Sequence, residues 1–338
     1  MSPHGATPCL LYGELYTTYG EVTKAVINKT DSTEDLVRSQ MNDVILPMSG
    51  ETAEDIAKAT CIKQEGVAYG GDLMVLRSKS LDGCFLSYSL NSINRRQISR
   101  IAQGKTVVHI NPSRVSDISI NVACLEEQQK IASFFSTFDE KISLQENKIS
   151  HLESLKRGLM QKIFRQEFRF LNNQRNFPSW ENICLGDVCD VFQSGKGITG
   201  KVIFDRGEFP VFGGNGLRGF TNTYTHEGTY VLIGRQGALC GNLKIINGKN
   251  YVSEHAIAVR ANSNNSTEFL YYALQTLNLH SLSESSAQPG LSVKKLKNLK
   301  IFLPSLQEQR RIAQSFLAIT ANARHLLQAT LPGFTNHR

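Results

Sequence analysis

The sequence predicts a mixed α/β (α+β) fold with two copies of one strand-and-helix domain, each followed by a long amphipathic helix. Three observations predict it. The chain has 338 residues, more than one ordinary domain needs. A segment that opens at Leu125 recurs in the same order from Leu306, 181 residues later. After each copy, apolar residues follow steps of four and three, as in packed helices. The predicted boundaries are 1–123 (first domain), 124–177 (central helix), 178–303 (second domain) and 304–338 (final helix).

The repeat extends well beyond the Leu-x-Glu-Gln motif that opens each helix. The order of the matched pieces never changes, and small indels account for the drift in offset, as expected when loops diverge around one scaffold. This pattern indicates duplication. The earlier matched pieces are residues 118–122 and 299–303, 85–90 and 269–274, and 44–46 and 231–233, at offsets of 181, 184 and 187 residues.

The first helix is predicted to be the longer one. From Ile131, steps of four and three residues lead to Ile163, and eight of the ten positions visited are apolar. A helix of about 38 residues would be about 57 Å long, which exceeds the face of any small domain. The second series runs from Ile312 to Thr330 and stops at Pro332-Gly333. Antiparallel, coiled-coil-like pairing of the two helices would relate the domains by a pseudo-two-fold axis and suit a duplex with two half-sites.

Composition permits a nucleic-acid partner without requiring one. The net charge is +7, and no tract of five or more Lys or Arg residues occurs. The seven cysteines form no C-x-x-C pair, which favours reduced structural thiols over a metal site. No run of eighteen apolar residues and no signal peptide is present, so we expect a cytoplasmic protein with no membrane partner.

Several segments together carry a resemblance to a known family. The arrangement of two domains separated by helices is similar to that of the DNA specificity subunit of Type I restriction-modification systems, and the likeness covers nearly the whole chain. The segments are Leu125-Glu126-Glu127-Gln128-Gln129-Lys130-Ile131-Ala132 with its copy from Leu306, Phe209-Pro210-Val211-Phe212-Gly213-Gly214-Asn215-Gly216-Leu217-Arg218-Gly219, Val231-Leu232-Ile233-Gly234-Arg235-Gln236-Gly237-Ala238, Ser253-Glu254-His255-Ala256 and Leu11-Tyr12-Gly13-Glu14-Leu15-Tyr16.

The resemblance implies a non-catalytic subunit with two target recognition domains. Each would read one half of a bipartite, asymmetric double-stranded DNA target, and the helices would hold two methyltransferase subunits. Restriction/translocase subunits would join the full complex. The chain itself is expected to bind no cofactor or metal; S-adenosylmethionine, ATP and Mg would belong to the partner subunits. The helix residues implied in partner binding are Glu127, Gln128, Ile131, Phe135, Glu308, Gln309, Ile312 and Phe316.

For DNA contact we favour loop residues between strands, because Arg, Asn and Gln read base edges in the major groove. A solvated turn residue is the alternative for each candidate. Ser49 holds the place of Gln236 in the first domain, where Met48 replaces Arg235, so the two domains are expected to read different sequences. His255 is either functional or a hydrogen-bonded structural histidine. The candidates are Arg235, Gln236, Asn215, Arg218 and Ser49, with Lys196, Lys294, Lys295 and Lys297 for phosphates.

Other short motifs point to enzymes but lack essential parts. Residues 195–201 match G-x-x-x-x-G-K, yet Val202 stands where a hydroxyl should bind magnesium. Residues 214–219 match G-x-G-x-x-G, but the sequence after them favours a strand rather than a helix. Asn111-Pro112-Ser113-Arg114 lacks the second proline and the aromatic residue of a methyltransferase motif, and Asp139-Glu140-Lys141 has the wrong spacing for a nuclease.

The two domains are unequal at their starts. When Pro8 is aligned with Pro210, the strand-like residues 185–195 of the second domain have no counterpart in the first. We therefore expect an N-terminally truncated subunit whose first domain lacks its first strand. The alternative function is an interaction scaffold that binds methyltransferase without full bipartite DNA recognition.

Overall fold

A computed structural model describes residues 5–32, 36–104, 106–171, 176–237, 239–283 and 290–330. The chain divides into two compact units, Met1–Ser143 (unit 1) and Leu144–Arg338 (unit 2). Ala238, the expected stop at Pro332-Gly333 and the tail after it lie outside the described residues. No helix among the described residues is long and apolar enough to cross a membrane.

Unit 1 consists of short strands and short helices. Its strands are β1 (Thr7–Leu10), β2 (Val22–Thr23), β3 (Lys29–Thr30), β4 (Asp43–Pro47), β5 (Ser49–Gly50), β6 (Thr60–Ile62), β7 (Ala68–Tyr69), β8 (Leu73–Leu76) and β9 (Val108–His109). Its helices are α1 (Glu14–Thr17), α2 (Ala53–Ile56), α3 (Gly83–Asn91), α4 (Arg95–Ile101) and α5 (Pro112–Val115), followed by the start of α6 (Leu125–Phe164).

Unit 2 repeats this plan with longer strands. Its strands are β10 (Glu181–Cys184), β11 (Cys189–Ser194), β12 (Phe209–Gly213), β13 (Gly216–Thr221), β14 (His226–Glu227), β15 (Tyr230–Gly234), β16 (Leu243–Ile246), β17 (Lys249–Val252), β18 (Ala256–Ala261) and β19 (Lys300–Leu303). Its helices are the second part of α6, then α7 (Thr267–Gln275), α8 (Val293–Lys297) and α9 (Leu306–Thr330).

The duplication is preserved in strand register. In unit 1, Val44 of the central strand β4 lies opposite Cys61 and Leu76 on its two neighbours. In unit 2, Val231 of β15 lies opposite Ile245 and Val259. The second sheet of each unit is built on one parallel pair, β1 with β7 and β12 with β17. The apolar residues 44–46 and 231–233 of these strands are buried, and packing explains why they are the clearest matched piece.

The Leu-x-Glu-Gln motif joins the strand-and-helix part of each unit to the helix that follows it. Gln128 accepts a hydrogen bond from the backbone N–H of Asp82 at 2.9 Å and donates to the Ala123 carbonyl. Gln309 repeats both bonds, with the N–H of Ser266 at 2.9 Å and the Pro304 carbonyl. Asp82 and Ser266 are the N-cap residues of α3 and α7. The motif is therefore a structural joint between each helix and its domain.

The long helix α6 has 40 residues and confirms the predicted element. Its first part packs on unit 1 through Gln128 and Ala132, and its end packs on unit 2 through Met160 and Ile163. The expected pairing of the two helices stays a prediction. Along the predicted seam, Phe135, Phe138 and Ile142 are exposed within the described residues, whereas Ile163 is fully buried.

The two units differ at the edges of their sheets. In unit 2, β10 pairs antiparallel with β19, and β11 pairs antiparallel with β18. Residues 118–122, which match β19, form no strand, and among the described residues of unit 1 no strand pairs with β8 on the side where β11 lies in unit 2. Within its described residues, unit 1 therefore lacks counterparts of β10, β11 and β19.

Candidate nucleic-acid interface

A glycine hairpin and a strand end meet at one edge of unit 2. Strands β12 and β13 turn at Gly214 and Asn215, and Asn215 is exposed at the tip. A side chain at Gly214 would lie 2.7 Å from the His255 carbonyl oxygen, so the hairpin needs glycine to approach the end of β15 so closely. Asn215 and Asn242 line a small cleft of about 140 Å³ between these elements.

Arg235 and Gln236 follow β15 directly at this edge, as predicted. The backbone N–H of Arg235 donates to the His255 carbonyl at 2.9 Å, and its carbonyl accepts from Leu291 at 2.9 Å, which fixes the turn. Gln236 is exposed, and its Oε1 lies 3.3 Å from Nδ1 of His255. His255 Nε2 in turn lies 3.3 Å from a carboxylate oxygen of Glu254. The side chains of Gln236, His255 and Glu254 thus form a row of hydrogen-bond donors and acceptors on short turns beside the hairpin.

Lys196 and Arg218 also come to this edge. Lys196 forms a backbone bridge with Ser253, and its side chain is exposed. Arg218 on β13 is exposed, and its side chain passes over Gly213, where a Cβ would lie 2.8 Å from Cδ of Arg218. With Arg235, these residues give the edge a positive charge suited to phosphates. We refer to Lys196, Asn215, Arg218, Arg235, Gln236 and His255 as the hairpin edge.

Sequence reasoning missed several polar residues of the hairpin edge. Lys244 extends over the ring of Phe212, 5.0 Å from its centroid, beside the cleft. The Ser253 hydroxyl and one Glu254 oxygen are buried without a hydrogen-bond partner among the described residues. Glu254 could have been predicted, because it belongs to the Ser253-Glu254-His255-Ala256 segment. Lys244 could not, because it lies in a strand that carries no motif.

The three lysines of α8 lie apart from the hairpin edge. All three side chains are exposed. Lys295 donates to the Leu282 carbonyl at 3.2 Å, and Lys297 lies over the ring of Phe192, 5.9 Å from its centroid. No contact between Lys294, Lys295 or Lys297 and the hairpin-edge side chains is found within the described residues, so they form a separate basic patch.

Ser49, predicted from the sequence as a DNA contact, is not placed to read a base. It is 7% exposed, and its hydroxyl donates to Asp72, so it has no free group to offer a base. Its carbonyl accepts a hydrogen bond of 2.7 Å from the Tyr16 hydroxyl. The pattern of matched strands located the position but gave no information on which way the side chain points.

The cavity beside Ser49 is a better candidate in unit 1. It has a volume of about 760 Å³ and is lined by Tyr12, Tyr16, Lys58 and Arg95 among others. Burial lowers the pKa of Lys58, an effect that Arg95 reinforces and Glu21 opposes. Burial, with smaller contributions from Asp55, Tyr12 and Asp72, raises the pKa of Tyr16 to about 12, so its hydroxyl stays a donor.

The proposed partner-binding residues divide into two groups. Gln128, Glu308, Gln309, Ile312 and Phe316 are buried in contacts within the chain, so as placed here their side chains are not available to a partner. Glu127 and Phe135 are exposed, and Ile131 is partly so. The described residues contain no group of three or more His, Cys, Asp or Glu side chains that could hold a metal ion.

Known proteins are similar to this chain in sequence. The profile of the family described as Type I restriction modification DNA specificity domain matches residues 20–154 and 178–330. The EcoprrI specificity subunit of a Type I restriction enzyme from Escherichia coli is 41% identical over 133 residues, which are 38% of this chain and 33% of that protein. The MjaVIII specificity subunit from Methanocaldococcus jannaschii is 25% identical over 321 residues, covering 82% of this chain and 72% of that protein.

Solved structures show the same fold. The S subunit of a Type I restriction-modification system from M. genitalium superimposes with a TM-score of 0.73 at 21% identity, covering 98% of this chain and 86% of that one. A chain from a study of the assembly and conformational transition of a Type I R-M system gives a TM-score of 0.52 at 18% identity, covering 97% and 87%.

Proposed function

The chain belongs to the Type I restriction-modification DNA specificity family, and on that premise we propose that it directs a methyltransferase to a bipartite DNA target. Each unit reads one half of the target, and the helices hold the methyltransferase subunits. The chain carries no chemistry of its own in this scheme. Methyl transfer, and translocation and cleavage where they occur, belong to the partner subunits, which also bind S-adenosylmethionine, ATP and Mg.

One observation carries this proposal: two units of the same strand register present different side chains at matched positions. Val44 and Val231 occupy equivalent central strands. The residues after those strands differ, since Met48 and Ser49 stand where unit 2 has Arg235 and Gln236. A shared scaffold with different readers is what an asymmetric two-part target requires.

The hairpin edge supplies the chemistry for the half-site read by unit 2. Arg and Gln side chains can make paired hydrogen bonds to guanine and adenine edges, each worth about 1–3 kcal/mol of discrimination. Gln236 is exposed and Arg235 is partly exposed. The backbone hydrogen bonds of Arg235 hold the turn from which both side chains extend, so this stretch of backbone is ordered before DNA binds. Lys196 and Arg218 are placed to contact phosphates and fix the register. Asn215 is the remaining base reader.

In unit 1 the reader is assigned to the cavity of Tyr12, Tyr16, Lys58 and Arg95. Its aromatic rings can stack on a base, either flipped out of the duplex or facing the protein from a groove, and its cationic side chains can donate hydrogen bonds to the base edge. Tyr12 is 43% exposed and lies at the cavity mouth.

Methyltransferase binding is assigned to the outer side of α6. There, Glu126, Lys130, Phe134 and Lys141 are among the residues that line an open groove of about 690 Å³. The groove combines exposed aromatic rings with charges of both signs, as interfaces commonly do. The buried residues Gln128 on α6 and Glu308, Gln309, Ile312 and Phe316 on α9 are not part of this surface. They fix each helix to its own unit.

The experiment is a methylation assay on a randomised DNA library with the cognate methyltransferase, with and without this chain. We expect adenine methylation confined to one bipartite, asymmetric motif, only when the chain is present. The same methylation pattern without the chain would contradict the proposal.

A second function is an interaction scaffold with only one working reader. One observation favours it: no described strand of unit 1 takes the place of β10 or β11. The methylation assay separates the two functions. A scaffold would give a motif with one specified half, read by unit 2, and random sequence at the other half.

A further inference from the structure

The start of α6 carries an apolar stripe that is exposed to solvent. Phe134, Phe135 and Phe138 are 59, 45 and 48% exposed. Glu127 and Ile131 lie on the same side at helical spacing. The rings pack edge to face or tilted on each other at 4.8–5.6 Å. A contiguous exposed aromatic surface of this kind marks an interaction site. We call these five residues the α6 stripe.

The matched stripe of α9 in unit 2 is covered, and its acidic residue has a partner. Glu308, the counterpart of Glu127, is 4% exposed. Arg169 binds both of its carboxylate oxygens, with Nε–Oε1 at 3.2 Å and Nη2–Oε2 at 2.9 Å. The Trp180 indole N–H donates to Oε2 at 3.3 Å. This is a paired and hydrogen-bonded buried charge, the arrangement that offsets its desolvation.

The apolar part of the α9 stripe is covered by the end of α6 and by the segment that contains Arg169 and Trp180. Ile312 and Phe316 are fully buried in one core with Met160 and Ile163 from the end of α6. The ring of Trp180 lies 6.1 Å from Phe164 and 6.3 Å from Phe269. Strand β10, directly after Trp180, pairs with β19. The described parts of residues 159–194 thus supply a helix end, an arginine, a tryptophan and strand β10 to the cover, and β11 at the end of the range pairs with β18.

One ring contact beneath the α6 stripe is repeated beneath the α9 stripe. Tyr88 contacts Phe135 with ring centroids 5.3 Å apart, and Tyr272 contacts Phe316 at 4.8 Å. Phe85, the counterpart of Phe269, is only half-buried. Residues 118–122 have the position of β19 but form no strand. For Glu127, no cation lies within ion-pair distance in the described part of the chain.

We propose that the α6 stripe is the docking site for a polypeptide segment of a second chain with the chemistry of residues 159–194. Its arginine pairs with Glu127, its tryptophan and helix end cover Phe134, Phe135 and Phe138, and its strand pairs with residues 118–122. Unit 2 shows that each of these interactions is geometrically compatible with the duplicated scaffold. The assignment takes all five residues of the α6 stripe away from the methyltransferase, including Phe134 and Phe138 of the groove, and leaves the enzyme the charged groove residues Glu126, Lys130 and Lys141.

The probe is a fluorescently labelled synthetic peptide of residues 159–194, with Cys184→Ser and Cys189→Ser, titrated with the full chain and followed by anisotropy. We expect saturable one-to-one binding. Glu127→Gln should weaken it about tenfold or more, because the charge-assisted pair is lost. Arg169→Gln in the peptide should cause a similar loss, and combining the two should add little, as for a directly coupled pair.

Two controls keep the result specific. Glu146→Gln makes the same charge change on an exposed part of the same helix outside the stripe and should leave binding unchanged. Hydrogen exchange should show peptide protection at residues 118–122 and none at 299–303. Folding of Glu127→Gln is checked by circular dichroism; Phe134→Ala, at a largely exposed side chain, gives a second variant.

Several results would overturn the docking site. The first is that the peptide does not bind, and the second is that it binds equally well to Glu127→Gln. The third is protection of residues 299–303 from hydrogen exchange, which would mean that the peptide exchanges into unit 2. A methyltransferase that protects the α6 stripe and excludes the peptide would assign the surface to that enzyme. These measurements use no DNA, so their failure leaves the reading of DNA by the hairpin edge unaffected.

Discussion

At the scale of single residues, the two motif glutamines show how a repeat preserves a contact. Gln128 and Gln309 are each 1% exposed and each accept from the N-cap residue of a domain helix. A carboxamide suits this place because it donates and accepts at once. Glutamate could not donate to the carbonyl of Ala123 or Pro304. The contact ties each helix to its domain, which explains the identity of Gln128 and Gln309 in two otherwise diverged copies.

Replacing Gln309 with Ala should destabilise unit 2 by about 2–3 kcal/mol, because a buried N–H and a buried carbonyl lose their partner. Trp180 is the only tryptophan of the chain and lies in unit 2, so urea unfolding followed by its fluorescence reports this unit. Gln314→Ala, at an exposed position of the same helix, should change little. Gln128→Ala should leave the tryptophan transition near its wild-type midpoint.

His226 should make unit 2 less stable in mild acid. Burial, with the charges of Lys196 and Arg260, lowers its pKa below the ordinary 6.5. The unfolded chain therefore binds the proton first as the pH falls through 6.5, and stability is lost from there down to the lowered folded-state pKa. Between pH 7.5 and 5.5 the tryptophan unfolding midpoint should fall more in wild type than in His226→Gln. Equal slopes in the two proteins would contradict this.

At the scale of elements, the hairpin of β12 and β13 is shaped by the close approach of two backbones. A Cβ at Gly214 would meet the His255 carbonyl at 2.7 Å, and one at Gly234 would meet the Gly214 carbonyl at 2.7 Å. Neither atom belongs to a flexible side chain, so the backbone itself would have to move. The position of Asn215 relative to Arg235 depends on these two glycines.

Gly214→Ala should therefore weaken DNA reading by unit 2 while leaving the unit folded. We expect methylation of the target by the complex to fall at least tenfold, with a loss of about 1–3 kcal/mol in stability from overpacking. Gly197→Ala is the matched control, because a Cβ there meets nothing within 4 Å. Equal methylation by the two variants would show that the hairpin does not position a DNA contact.

At the scale of the whole chain, periodicity and repetition in the sequence were enough to predict the two domains and the long helix. Buried apolar strands such as residues 44–46 and 231–233 keep their pattern because packing constrains them. Side-chain direction was not predictable. Ser49 and Gln236 match in sequence order, yet one is buried against Asp72 and the other exposed. Lys244 was missed because a single strand lysine carries no pattern.

The last prediction follows from the proposal that each unit reads one half of the DNA target. Arg235→Ala should relax one base position in one half of the methylated motif, at a cost of about 1–3 kcal/mol of discrimination, and leave the other half and the spacing unchanged. Lys294→Ala, in the separate basic patch, should instead lower methylation of all targets uniformly and reduce the salt dependence of binding by about one charge. The changes in methylation are measured by mapping methylated adenines in the randomised library, and the salt dependence by titrating DNA binding at several salt concentrations. Relaxation of both halves by Arg235→Ala would contradict reading by independent units, because a residue confined to unit 2 would then govern the whole target.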